Sequence, residues 1–183
     1  MKKLIAVLMG LMVVATASVC FADTENSAVA KVYVKVDPNV AIRPLTAIVD
    51  AGSVQIGEFS ADVKFRVDAN KESVQFFAAA SPLYKGDDPT NSEVPPIPLA
   101  KGVVIQPTNA NPIAGGTNVA DYGTPTTIDE FPGMQTNAIT FESSQDGHFS
   151  QDVNVKFTWD QPDPEKPMGE YSGKVKLTAL LLP

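Results

Sequence analysis

Residues 57–67 alternate apolar and polar side chains, and this pattern constrains the fold more than any other feature of the chain. One face would carry Phe59, Ala61, Val63, Phe65 and Val67, and the other Glu58, Ser60, Asp62, Lys64 and Arg66. A period of two residues is that of a strand with one buried face. Residues 68–71 form a turn-like sequence, and residues 73–81 then alternate again. The sequence therefore predicts a β-hairpin over residues 57–81.

The rest of the chain reads as further strands joined by polar loops, without a convincing long amphipathic helix. Residues 85–98 are acidic and proline-rich, as expected of an exposed loop. Residues 107–136 are rich in Asn, Pro, Gly and Thr and are predicted to form a long irregular loop region. Further strands are predicted at residues 97–106 (an edge strand, because Pro98 lacks an N–H), 137–142, 151–159 and 171–181. About seven or eight strands favour an all-β fold, an immunoglobulin-like β-sandwich with Greek-key connections.

The first residues have the features of a secretion signal. Lys2 and Lys3 precede an apolar stretch at residues 4–14, and small residues then lead to a cleavage site after Ala22. The apolar stretch is about 11 residues long, too short to span a bilayer comfortably. Cys20 raises the alternative of a lipoprotein, but the branched Val19 before it fits that poorly, and simple secretion is favoured. The expected organisation is a signal peptide at 1–22, an N-terminal strand at 23–36 and a sandwich domain at 37–183.

Charge and cysteine content exclude several functions. The formal net charge is −7, and it becomes more negative once Lys2 and Lys3 are removed with the signal. An acidic protein is a poor candidate for binding nucleic acid or anionic lipid surfaces. The single cysteine, Cys20, lies within the predicted signal, so the mature chain cannot form an internal disulfide. Its stability must come from packing and backbone pairing.

Residues 28–36 form a second alternating segment, directly after the signal. Ala30, Val32, Val34 and Val36 would lie on one face, with Lys31, Tyr33 and Lys35 on the other. The segment ends at Asp37-Pro38, where proline cannot continue a ladder. It could be the first strand of its own sandwich, or it could be lent to a neighbouring subunit. Period-two alternation describes both cases equally well.

Groups for catalysis are nearly absent from the sequence. The only histidine, His148, lies in a turn-like sequence and has no second histidine or cysteine with which to bind zinc. A cysteine nucleophile is unavailable after processing. We therefore expect a protein that is not an enzyme and that carries no cofactor.

Two weaker hypotheses concern ligands. Asp87, Asp88, Asn91 and Glu93 lie close together in one loop, and Asp160, Asp163 and Glu165 in another; oxygen ligands at such density can hold calcium. Neither loop has the spacing of a known calcium loop, so solvated loops are the favoured interpretation. Trp159 could serve as a carbohydrate platform, but it continues the apolar face of Val153, Val155 and Phe157 and is better explained as a core residue.

Several motifs resemble those of the class 5 fimbrial major pilins, the alternate chaperone–usher family of colonisation-factor type. Mature chains of that family open with a short alternating strand ending in Val-Asp-Pro, as at residues 36–38. A strand, an Asn-containing turn and a valine-rich strand follow, as at residues 65–74. The other matching motifs are Ser-Pro-Leu at 81–83, Ile-Pro-Leu at 97–99 and Gly-Glu-Tyr-Ser-Gly-Lys-Val-Lys-Leu at 169–177. Residues 107–150 have no counterpart in the family pattern.

The resemblance implies a secreted structural subunit of a surface fimbria that polymerises by donor-strand exchange and supports adhesion. Ala30, Val32, Val34 and Val36 would then insert into a neighbouring subunit. The implied partners are other copies of itself or related pilins, a periplasmic chaperone and an outer-membrane usher, with no nucleic acid and no membrane span after processing. The implied location is the cell surface, reached through the periplasm. The alternative is a monomeric secreted or periplasmic ligand-binding sandwich, whose binding is of carbohydrate or depends on calcium.

Overall fold

The computed structural model describes residues 30–113 and 115–182. The predicted signal peptide, the possible lipidation site at Cys20 and residues 23–29 lie outside the described residues. The chain divides into two units, Met1–Val36 and Asp37–Pro183, and every described strand belongs to the second. Within the described ranges, we find no helix with the length and apolar character needed to cross a membrane.

The regular structure of the described residues consists entirely of strands, which confirms the predicted all-β sandwich-type fold. There are thirteen in this part of the chain: β1 (Val40–Pro44), β2 (Gly57–Ala69), β3 (Ser73–Ala80), β4 (Tyr84–Lys85), β5 (Val103–Pro107), β6 (Ala110–Pro112), β7 (Val119–Ala120), β8 (Tyr122–Ile128), β9 (Phe131–Thr136), β10 (Ile139–Ser143), β11 (Phe149–Gln161), β12 (Tyr171–Ser172) and β13 (Val175–Leu181).

The first sheet has the order β1-β2-β11-β5-β7, and its strands pair in antiparallel fashion. Its centre is the long pair β2–β11, in register from Gly57 opposite Gln161 to Ala69 opposite Phe149. The alternation predicted for residues 57–67 is confirmed, because Ala61, Val63, Phe65 and Val67 are buried and Phe59 is half-buried. The polar residues of the same strand face outward and keep this side of the sheet solvated.

The second sheet is built around β3, which has β13 on one edge and both β10 and β9 on the other. The β10 pairing uses the beginning of β3, with Ile139 opposite Phe76, and the β9 pairing uses its end, with Met134 opposite Ala80. Strand β6 extends the sheet beyond β10, and β8 extends it beyond β9. A short ladder of β4 and β12 stands apart from both sheets.

The core lies between the two sheets. Phe76 of the second sheet contacts Phe149 of the first with ring centroids 5.5 Å apart, and it contacts Phe141 at 5.8 Å. All three side chains are fully buried. Aromatic rings at such distances add to the free energy gained by removing their area from water. The sandwich is therefore held by face-to-face packing, as expected for a chain whose only cysteine is Cys20.

Two sequence predictions about the middle of the chain need correction. The strand predicted at 97–106 begins only at Val103, after Gly102 with φ +77°, and β5 is not an edge because β11 and β7 flank it. The region 107–136 is not irregular, since it contains β6, β7, β8 and β9. Its β8–β9 hairpin turns at Asp129 and Glu130, both with positive φ, which is the geometry of a tight two-residue hairpin turn. Few large apolar residues mark these strands, so the alternation signal is weak.

Candidate functional site: a groove beside the free edge of β2

Strand β1 covers only one end of β2. Its register runs from Val40 opposite Ala69 to Pro44 opposite Phe65, and the last backbone bond joins the Leu45 N–H to the Lys64 carbonyl at 2.8 Å. The opposite edge of β2 is paired with β11 along its whole length. Among the described residues, no strand pairs with the outer edge of residues 57–63. Backbone donors and acceptors along an edge of this kind are a template for another strand.

After Leu45 the chain no longer pairs with β2, and the next strand residue is Gly57, where β2 itself begins. The intervening residues 46–56 form no strand. A turn lies at their centre, where Gly52 has φ +82° and its N–H donates to the Asp50 carboxylate at 2.8 Å. This turn follows the largely apolar residues 45–49. Ile48 and Ile56 in this segment are large apolar residues that remain exposed.

The second sheet presents a free edge on the same side of the sandwich. Strand β13 pairs with β3 through one edge, from Val175 opposite Ala80 to Leu181 opposite Val74. Within the described part of the chain, its other edge has no strand partner. Strand β1 approaches β13 and closes the gap between the sheets at one end only. Past Leu45 the gap is bordered by residues 46–56, whose Val49 packs against the core, and by no strand among the described residues.

A cavity of about 1410 Å³ lies at this gap, and we call it the edge groove. Its walls include residues 46–56 and the loop of residues 164–170, together with the start of β13. Its apolar lining includes side chains of both sheets and of neighbouring loops: Phe59, Ala61, Val63, Leu83, Ile97, Trp159 and Val175, together with Ile48, Val49, Ile56 and Met168 from the two wall segments.

Trp159 lines the edge groove and is held by a hydrogen bond and a ring contact. The indole is 4% exposed, its N–H donates to the Ser81 carbonyl at 3.0 Å, and its ring stacks on Phe59 with centroids 6.0 Å apart. Phe59 itself is only half-buried, because the groove lies beside it. The prediction of a core tryptophan is confirmed. A ring buried in this way cannot present a flat face to a carbohydrate.

Residues 30–36, the described part of the segment predicted as a strand, pair with no strand among the described residues. Their backbone is extended or irregular and lies outside any sheet. The side chains of Val32, Val34 and Val36 are 92%, 85% and 75% exposed. Ala30 is exposed as well. A strand requires a partner for its backbone groups, so an alternating sequence alone does not produce one in a single chain.

The calcium candidates do not converge on a common point. Asp88 accepts hydrogen bonds from the N–H and hydroxyl of Thr90 at 2.9 and 2.7 Å, and these bonds lower the pKa of its exposed carboxyl. Asn91 accepts from the Glu93 N–H at 3.0 Å, and Asp87 accepts from the Ser172 hydroxyl at 2.7 Å. The four side chains thus serve local turns and loop contacts. Over the residues that the structure describes, no three His, Cys, Asp or Glu side chains are grouped to hold a metal.

The second acidic loop and the histidine also have local roles. Asp163 accepts from the Glu165 N–H at 2.9 Å, which is a turn contact. His148 is exposed, and its Nδ1 lies 2.8 Å from the Asp146 carbonyl. Neither side chain faces the edge groove. These features give no arrangement of acid, base and nucleophile from which a reaction could be written.

Sequence reasoning did not find the groove residues. It assigned Phe59, Ala61 and Val63 to a buried face and could not tell which side of β2 lacks a neighbour. A usable signal was present in residues 45–56, where Leu45, Ile48 and Ile56 are apolar but follow no strand or helix period. Comparison of the chain with protein-family models and with curated proteins finds no match in either.

Proposed function

We propose that this chain is a secreted structural subunit of a surface fimbria, which polymerises by donor-strand exchange and supports adhesion. The observation that carries the proposal is the free backbone edge of residues 57–63 beside an apolar groove. The same chain supplies an exposed segment, residues 30–36, whose apolar side chains alternate. A strand added to such an edge gains backbone hydrogen bonds, and its alternate side chains fill the pockets.

Chain length favours insertion between subunits. Asp37 is fixed at the far end of β2, because its carbonyl accepts from the Asn70 side chain at 2.9 Å. Val63, the nearest residue of the free edge, is six strand positions from Ala69, or roughly 20 Å at 3.4 Å per residue. Val36 adjoins Asp37, and consecutive Cα atoms are only about 3.8 Å apart. Val34 and Val36 are therefore too close to Asp37 along the chain to extend to residues 57–63 of their own copy, which supports an acceptor in another copy.

Burial of the valines supplies a driving force. Val32, Val34 and Val36 are almost fully exposed in the single chain. Moving a valine from water into an apolar pocket is worth about 1.5–3 kcal/mol, and part of this offsets the entropy lost on association. The edge groove is also a hazard before assembly, since free strand edges and apolar surface promote aggregation. A periplasmic chaperone that covers the groove and an usher that orders assembly fit this requirement, as the resemblance to class 5 pilins implies.

A monomeric ligand-binding sandwich has less support. The groove volume of about 1410 Å³ exceeds the roughly 300–1,000 Å³ of a typical small-molecule pocket. Trp159 and the acidic loop residues were the side chains first considered as ligand contacts. Trp159 packs in the core, and the acidic side chains form hydrogen bonds in local turns. The strand edge of residues 57–63 that borders the groove suits a peptide strand better than a sugar or a metal.

The test is Val34→Asp in the full-length exported protein, with Tyr33→Asp as the matched control. Both side chains are about equally exposed, at 85% and 86%, but only Val34 would enter the groove. We expect Val34→Asp to abolish the polymer seen by size-exclusion chromatography and electron microscopy, because a charge would be buried in an apolar pocket. The melting temperature of the subunit should stay unchanged, and Tyr33→Asp should still polymerise. If Val34→Asp unfolds the monomer or leaves polymer intact, the proposal is wrong.

A further inference from the structure

The chemistry of the two free edges differs, and this difference bears on where an incoming strand pairs. On β2 the outward-facing residues beside the groove are Glu58, Ser60 and Asp62, and both acidic side chains are exposed. On β13 the outward-facing residues are Lys176, Thr178 and Leu180. The incoming segment carries Lys31 and Lys35 on its outward face. Opposite charges across paired strands stabilise the pair and like charges destabilise it, so charge favours the β2 edge.

The spacing of the charges matches as well. Lys31 and Lys35 are four residues apart, and so are Glu58 and Asp62. On a strand this is roughly 13 Å with both side chains on the same face. The free edge of β2, residues 57–63, is equal in length to the incoming segment of residues 30–36. Both charge pairs can therefore form together when the two segments overlap completely.

The direction of the incoming strand follows from what lies at each end of the free edge. At the Val63 end, the edge is already occupied by Leu45, which bonds to Lys64. A parallel strand would place its Val36 there, and the globular domain of its own subunit, which starts at Asp37, would collide with β1. An antiparallel strand places Val36 beside Gly57 at the other end. The domain that follows then lies beyond the end of the sandwich.

We propose, resting on the proposed function, that residues 30–36 of a second copy pair antiparallel with residues 57–63 of β2, with Lys31 opposite Asp62 and Lys35 opposite Glu58. In this register Val32 lies beside Ala61 and Val34 beside Phe59. The incoming strand runs collinear with β1 and completes its edge of the first sheet. Subunits are joined head to tail, because the groove ends at Gly57 while each domain starts at the Asn70 end of its β2. An interface of this kind does not close on itself and generates a filament.

Cysteine pairs test the register directly, because Cys20 is the only native cysteine and lies within the predicted signal. Directly opposed residues in an antiparallel pair have Cα atoms about 4.5–5.5 Å apart, which a disulfide spans. We expect full-length Lys31→Cys/Asp62→Cys protein to form an intersubunit disulfide ladder on non-reducing gels. The controls are Lys31→Cys/Glu58→Cys, which would report parallel pairing, and Lys31→Cys/Thr178→Cys, which would report pairing with β13. All four positions face outward, so the apolar pockets stay intact.

A charge-swap series measures the energetic side of the proposal. Lys31→Glu/Lys35→Glu should raise the apparent dissociation constant of the subunit contact about tenfold, and Glu58→Lys/Asp62→Lys should do the same. The four changes together should restore it. This register is wrong if polymer forms but only a control cysteine pair cross-links. It is also wrong if the charge swaps leave the dissociation constant unchanged. Either result would leave donor-strand exchange itself intact. Failure of the unmodified protein to polymerise overturns both.

Discussion

The indole N–H of Trp159 donates to the Ser81 carbonyl at 3.0 Å, so a residue of the first sheet is bonded to the end of β3 in the second. Ser81 also accepts the Lys174 N–H through its hydroxyl at 2.9 Å, and its own N–H donates to the Lys174 carbonyl at 2.9 Å. One buried serine thus connects β11, β3 and the residue that precedes β13. The connection lies beside the edge groove, where no strand of the described residues bridges the two sheets.

Trp159→Phe should destabilise the subunit by about 2–4 kcal/mol. The substitution removes the hydrogen bond to Ser81 and leaves space where the larger ring was packed. Chemical denaturation of the exported chain measures the change. Thr158→Val is the control: it removes the part-buried hydrogen bond between the Thr158 and Ser60 hydroxyls (3.1 Å) on the outward face of the same strand, leaves no cavity and should cost much less. Equal losses in the two variants would show that the bond to Ser81 is not important for stability.

The sequence predicted the parts of the fold in which one face is buried and the other is solvated. Residues 57–67 and 73–81 satisfy this condition, and their strands were predicted closely. The hairpin of β8 and β9 was missed, because its positions between Tyr122 and Ile128 are Gly, Thr and Pro and show no apolar alternation. A period of two residues records which face is buried. It contains no information about which strands are neighbours.

Of the proposed interface, the sequence predicted only the alternating valines of residues 30–36 and not the groove. The groove depends on where β1 stops, and that is a property of pairing between segments far apart in the chain. Strand β1 ends at Pro44, opposite Phe65. No pattern in the sequence shows that β2 begins eight residues earlier, at Gly57, and so extends past the end of β1. Edge strands of this kind become visible only when the sheet order is known.

Acid should remove a stabilising contact on the outer face of the first sheet. The hydroxyl of Ser150 donates to Asp68 at 2.6 Å and Arg66 lies 2.9 Å from the same oxygen, and these contacts lower the pKa of the Asp68 carboxyl. Because the folded-state pKa is depressed, the contribution is complete above the ordinary aspartate pKa of about 3.9 and is lost as the pH falls through the folded-state value.

Asp68→Asn should therefore be less stable than the unmodified protein at pH 7. The difference should shrink and vanish as the pH is lowered below about 3.9. Melting temperatures of both proteins across pH 2–8 provide the measurement. A difference that is constant over the whole range would mean that the carboxylate charge has no part in the contact.

Gly133 permits the close contact between β9 and β3. A Cβ atom at this position would lie 2.5 Å from the Ala80 carbonyl oxygen, and backbone cannot move aside cheaply. Gly133→Ala should cost about 1–3 kcal/mol, the usual range for overpacking. At Gly123 on the same hairpin, a Cβ would meet only the flexible end of Asn137, so Gly123→Ala should cost less. A comparison of their denaturation midpoints tests the difference, and the reverse order would contradict the packing argument.

Filling the edge groove should separate assembly from folding. Ala61 faces the groove from β2 and lies beside Val32 of the incoming strand in the proposed register. In the single chain, a larger side chain at this position can extend into the cavity of about 1410 Å³, so Ala61→Phe should leave the melting temperature within a few degrees. In the filament the same ring would occupy the space of a donor valine, and polymer should be lost. Ala78→Phe, at a fully buried position of β3, is the opposite control and should unfold the subunit. Polymer formed normally by Ala61→Phe would mean that the incoming strand does not enter beside β2.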